Sequence, residues 1–158
     1  MTDSQNDAKK YALKLLAYRA RSESELRERL ARKGFSGEAL SHTLEYLRRA
    51  GYLDDHLLAE NLKRRALEEK RLGFQGAKDF MLKRGLPAHM VESTLEYDED
   101  RELRNAEKLV DKKLGSMRNY AGKSEKRRLW YFLARRGFSF GIIRKTLKDL
   151  NHNEEDER

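Results

Sequence analysis

The chain has 158 residues, 39% of them charged, with a formal net charge of +8 and no cysteine. This composition excludes disulfides, thiolate catalysis and cysteine-ligated zinc, and it points to a polyanionic or acidic partner. No apolar run approaches the roughly 20 residues of a membrane helix, and Met1 to Lys10 has no apolar segment of the signal-peptide kind, so a cytosolic protein with no membrane partner is expected.

A single proline and the lack of any Gly/Ser/Pro-rich linker leave most of the chain free to be helix. Residues 1–7 are expected as a frayed tail. Ala8, Tyr11, Ala12, Leu15 and Leu16 then recur on one stripe of a helix. Ser22 followed by Glu25 has the form of a capping box opening a second helix, which carries Leu26 and Leu30 and ends at Gly34 as a left-handed cap. Ser36 can cap a third helix bearing Leu40, Leu44 and Leu47, which stops near Gly51.

The unit then returns. Arg32-Lys33-Gly34-Phe35, Lys83-Arg84-Gly85-Leu86 and Arg135-Arg136-Gly137-Phe138 place their glycines 51 and 52 residues apart. Leu30, Met81 and Leu133 stand four residues before them; Leu40, Val91 and Ile143 stand six after, and Thr43, Thr94 and Thr146 align as well. Ser36, Pro87 and Ser139 each suit the start of the helix that follows. Leu58, Leu62 and Ala66 mark the opening helix of the second unit, and Leu103, Ala106, Val110 and Leu114 that of the third. The expectation is an all-α protein of three tandem three-helix repeats, about nine helices, over 8–53, 54–97 and 98–150, with an acidic tail at 151–158. A lone unit buries little apolar surface, so the repeats should stack into an elongated, curved rod.

Charge is uneven along the chain. Residues 8–53 carry 11 basic and 5 acidic groups, 54–97 carry 8 of each, and 98–150 carry 15 and 8. Lysine and arginine on phosphate release counterions, and nearby aromatics can stack on unpaired bases. On charge alone, the candidate contacts are Lys126, Arg127, Arg128, Arg135, Arg136, Arg144 and Lys145, with Arg48, Arg49, Lys63, Arg64 and Lys70 as a second group. Tyr120, Trp130, Tyr131 and Phe140 are candidate stacking partners, and Phe132 belongs on the core stripe. Asp54 and Asp55 read as helix caps rather than as an acid–base or metal pair. His42, His56, His89 and His152 lack the spacing of a metal site. No Walker A sequence or nucleophile elbow is present, so no catalytic residue, metal or cofactor is expected.

Several of these motifs together resemble the RecX family. They are Ser24-Glu25-Leu26 through Lys33-Gly34-Phe35, then Gly51-Tyr52-Leu53-Asp54-Asp55 with Ala59, and then Arg71-Leu72-Gly73-Phe74 leading to Leu82-Lys83-Arg84-Gly85-Leu86. Arg135-Arg136-Gly137-Phe138 is similar to the family's closing repeat. The resemblance covers about residues 10–150. It implies a non-enzymatic regulator of the RecA recombinase that lodges in the groove of the RecA filament on single-stranded DNA. There it would reduce filament extension, ATP hydrolysis, strand exchange and co-protease action, with no cofactor. The implied partners are the RecA filament and single-stranded DNA of low sequence specificity, with duplex DNA as a further candidate, and a monomer is expected. A basic nucleic-acid-binding protein or transcription factor acting alone is the alternative reading.

Overall fold

The computed structural model describes residues 3–116, 123–148 and 150. Among these are nine α-helices and no strand: α1 (Asp3–Tyr18), α2 (Glu23–Arg32), α3 (Gly37–Arg49), α4 (Asp55–Arg64), α5 (Phe74–Lys83), α6 (Ala88–Thr94), α7 (Glu99–Ser116), α8 (Lys123–Arg135) and α9 (Phe140–Lys148). They follow one another as three-helix repeats. Residues 3–7, expected to fray, are instead the opening of α1. Asp3 sits in the first turn, where a carboxylate meets the positive end of the helix dipole, and Ala8 just beyond is fully buried. The acidic segment 151–158 lies outside the described residues.

Local signals explain most helix ends. Ser22 Oγ accepts the Glu25 N–H at 3.1 Å, whereas the Glu25 carboxylate turns away to Arg19 and Arg21, so only half of the capping box forms. Ser36 holds the N-cap position of α3 without a side-chain bond, while Ser139 Oγ accepts the Ile142 N–H at 3.3 Å. Asp54 Oδ1 accepts the Leu57 N–H at 3.0 Å and caps α4. α4 continues as a π turn, Arg65–Glu69, closed by the Lys70 N–H on the Arg65 carbonyl at 2.9 Å. That wider turn buries Ala66 and Leu67 side by side in a stretch with no other apolar residue before Leu72.

The chain divides into two compact units. One comprises Met1–Leu62 and Met81–Thr94, the other Lys63–Phe80 and Leu95–Arg158. In the first, Ala8 and Ala12 of α1 pack with Leu26 and Leu30 of α2 and with Leu40, Leu44 and Leu47 of α3. In the second, Ala106, Leu109 and Val110 of α7 pack with Leu129 and Leu133 of α8 and with Phe138, Ile142, Ile143 and Leu147. Each leucine wholly removed from water contributes about 1.5–3 kcal/mol to this burial.

Each unit also holds a joint between successive repeats, built the same way twice. In the first, Asp55 Oδ1 accepts the Glu23 N–H at 3.0 Å, Arg84 donates to the Ala20 carbonyl at 3.3 Å, and Gly85 lies so close to Ser22 that a Cβ would overlap the Ser22 hydroxyl. In the second, Glu102 Oε1 accepts the Phe74 N–H at 3.1 Å and Arg136 donates to the Lys70 carbonyl at 2.7 Å. Gly137 there meets Gly76 backbone to backbone, and Gly73 donates to the Arg136 carbonyl at 3.0 Å. A carboxylate of one repeat thus satisfies the first N–H of the second helix of the repeat before it, and the arginine of its basic-Gly turn donates to a carbonyl just ahead of that helix. Gly34, in the first repeat, has no such neighbour: nothing lies within 4 Å of where its Cβ would be.

Candidate functional site

The cationic candidates separate by what they already touch. Arg48 grips Glu23 through Nε and Nη2, both at 2.9 Å, and Arg49 pairs with Glu45 at 2.7 Å beside a hollow of about 560 Å³ that Lys9, His42 and Tyr46 also line. The Arg48 hydrogen bond holds the Glu23 carboxyl below its ordinary range against the opposing effect of burial. Arg64 lies 3.8 Å from Glu69, Lys70 stands 5.4 Å from the centre of the Phe80 ring, and Lys63 is half-buried. Lys145 pairs with Glu99, which raises its pKa by hydrogen bond and charge. Arg136, expected as an anion contact, serves the joint with Lys70 and lies over the Phe132 ring at 5.0 Å.

The face of α8 is different. Arg127, Tyr131 and Arg135 recur every four residues and are all exposed, Tyr131 by 51%. The Arg127 guanidinium lies 5.8 Å from the Tyr131 ring centre. Lys113 of α7, Arg128, Tyr131, Phe132 and Arg135 line a hollow of about 310 Å³, with Lys113 5.3 Å from the Phe132 ring. Arg127 and Arg135 have no carboxylate partner among the described residues. Such a row offers cations to phosphates and a ring face to a base. Lys126 is half-buried on the same helix, and Arg144 is exposed on α9.

The aromatic candidates sort in a similar way. Phe132 packs, partly buried, against the core, as its stripe indicates. Trp130, expected off the core, packs there too, because α9 opens with Phe140 beside it and the two rings stack 5.7 Å apart at 24°. Tyr120 and His152 lie outside the described residues. Lys113 was not among the sequence candidates: it stands far from α8 in the chain, and only the folding of α7 against the same core brings it there. Among the described residues, no group of three or more His, Asp or Glu side chains is placed to hold a metal ion, and no helix is long and apolar enough to cross a membrane.

Comparison with known proteins places this arrangement. Residues 8–55 match the first three-helix domain of RecX and residues 99–147 match the third. The chain is 34% identical over 152 residues to the regulatory protein RecX of Pelodictyon phaeoclathratiforme, covering 95% of this chain and 93% of that one. It is 34% identical to that of Amycolatopsis mediterranei, covering 90% and 82%. The crystal structure of RecX from Lactobacillus salivarius shares the fold with a TM-score of 0.76, at 20% identity over 96% of this chain and 99% of that one. With both outer three-helix domains matched and relatives aligned along almost its whole length, the chain belongs to the RecX family of regulatory proteins.

Proposed function

We propose that this protein restrains the RecA recombinase, binding the groove of the RecA filament on single-stranded DNA and lowering its extension, ATP hydrolysis, strand exchange and co-protease activity. Family membership supports a regulatory role. The observation that carries a nucleoprotein target is the exposed Arg127–Tyr131–Arg135 row of α8, set beside Lys113 and Arg128. Lys126 and Arg144 extend this contact. Arg48, Arg49, Arg64, Arg136 and Lys145, each already bound to a partner within the chain, take part less. In this reading the chain works as a cytoplasmic monomer, without cofactor and without catalysis.

The test is the single-stranded-DNA-dependent ATPase of RecA, measured with this protein at substoichiometric amounts and at two salt concentrations. A progressive fall at low ratios is expected, because one molecule lodged in a filament affects many subunits while competition for DNA needs far more protein. An unchanged ATPase with intact binding to naked DNA would select the alternative, a nucleic-acid-binding protein acting alone, for which the same α8 row would serve.

A further inference from the structure

A cleft of about 590 Å³ opens within the second unit, lined by Phe74, Tyr97, Phe138, Phe140 and the buried carboxylate of Glu102. Phe74 and Tyr97 meet edge to face with ring centroids 5.2 Å apart, and Phe140, 62% exposed, stacks on Trp130. Glu102 is only 6% exposed. Its Oε1 caps α5 through the Phe74 N–H, but its Oε2 is buried with no hydrogen-bond partner among the described residues. The fold uses one oxygen of this carboxylate and leaves the other desolvated and unmatched, a costly arrangement unless something donates to it.

The surrounding charge is also negative. In a chain of net charge +8, residues 96–102 carry Glu96, Asp98, Glu99, Asp100 and Glu102 against Arg101, with Lys145 paired to Glu99. The Tyr97 hydroxyl registers this: burial first, then the charge of Glu102 and a hydrogen bond to that carboxylate, raise its pKa, with Lys145 acting the other way. Ring faces and a carboxylate both attract a cation and repel phosphate. A guanidinium suits such a place better than an ammonium, because it stacks flat on rings while donating in its own plane and is more weakly hydrated.

We propose that this cleft receives an arginine side chain from a protein partner, stacked against the aromatic rings and donating an N–H to Glu102 Oε2. The contact is opposite in sign to the α8 row and stands independently of the nucleic-acid reading of that row.

The experiment uses the full chain and capped pentapeptides Ala-Leu-X-Leu-Ala in which X is arginine, lysine, citrulline or leucine. Binding is followed by calorimetry and by the emission of Trp130, the one tryptophan of the chain, stacked on the cleft residue Phe140. The arginine peptide should bind about tenfold more tightly than the isosteric, uncharged citrulline peptide, with lysine between them. Glu102→Gln keeps a carbonyl for the Phe74 N–H, so helicity should persist while the arginine preference disappears. Phe140→Ala, at an exposed ring, should weaken the arginine peptide without loss of helicity. Equal binding of arginine and citrulline, no arginine-dependent binding at all, or a preference that survives Glu102→Gln would overturn the proposal. Displacement of the arginine peptide by an oligothymidylate would overturn it too, by assigning the cleft to nucleic acid.

Discussion

Arg21 is 7% exposed, and its guanidinium rests on the Leu15 carbonyl at 3.3 Å and on Glu25 at 2.5 Å. Burial alone would raise the Glu25 pKa, but the hydrogen bonds and charges of Arg19 and Arg21 outweigh it and hold the carboxyl below its ordinary value of 4.5. A folded-state pKa depressed in this way stabilises the fold fully above the unfolded value and stops doing so as pH falls through the folded one. Replacing Glu25 with glutamine leaves Arg21 buried without its counter-charge, at a cost of about 2 kcal/mol near neutrality. Chemical denaturation should therefore separate Glu25→Gln from the parent at neutral pH and bring the two together as pH falls through the parent's depressed folded-state pKa and its carboxyl takes up a proton. A gap that persisted into acid would mean that shape, not charge, holds Arg21. Ser22 and Glu25 were legible in the sequence as a capping pair. That Glu25 would serve two arginines instead was not, because a capping box is a local pattern and the demand of a buried guanidinium is set by the packing around it.

At the scale of elements, the repeated basic-Gly-apolar turn does two jobs that the sequence shows as one. Gly34 and Gly137 have similar backbones, with φ of +101° and +83°, yet only Gly137 is pressed against Gly76. Gly34→Ala meets only the left-handed backbone penalty, about 1–2 kcal/mol. Gly137→Ala meets the same penalty and a backbone overlap that overpacking makes worth about 1–3 kcal/mol more. Urea midpoints should order the two variants accordingly, and equal losses would show that the joint at α5 yields easily. The 51- and 52-residue spacing made the turns and the helix triplets readable from sequence. The joints were not, since Asp55 reaches Glu23 across 32 residues and Glu102 reaches Phe74 across 28. Asp55 was correctly placed at a helix start, but the N–H it accepts belongs to α2, not to its own helix. The π turn escaped for a related reason: its register is chosen by what Ala66 and Leu67 bury, not by any capping residue.

For the molecule as a whole, net charge is a poor guide to where phosphate would bind. Residues 8–53 sum to +6 and 98–150 to +7, so total charge would assign both ends nearly equal attraction. Pairing breaks that equality. Arg19, Arg21, Arg27, Arg32, Arg48 and Arg49 all lie on Glu23, Glu25, Glu28 or Glu45. An arginine already matched to a carboxylate must break that contact before it can displace a counterion from phosphate, and its net gain is small. Arg127 and Arg135 face no such competition: Arg135 lines one hollow with Arg128 and Tyr131, and Arg127 lies over the Tyr131 ring. Three phosphate contacts on single-stranded DNA give a slope of log affinity against log salt of roughly −2, or about a twentyfold loss between 50 and 200 mM. Changing Arg127, Arg128 and Arg135 together to alanine should reduce that slope by about 2 in fluorescence anisotropy on an oligothymidylate. Changing Arg48 and Arg49 should leave it in place although the same region is almost as basic. If both sets flattened the slope equally, the summed field of the chain would govern binding and the α8 row would have no special claim to it.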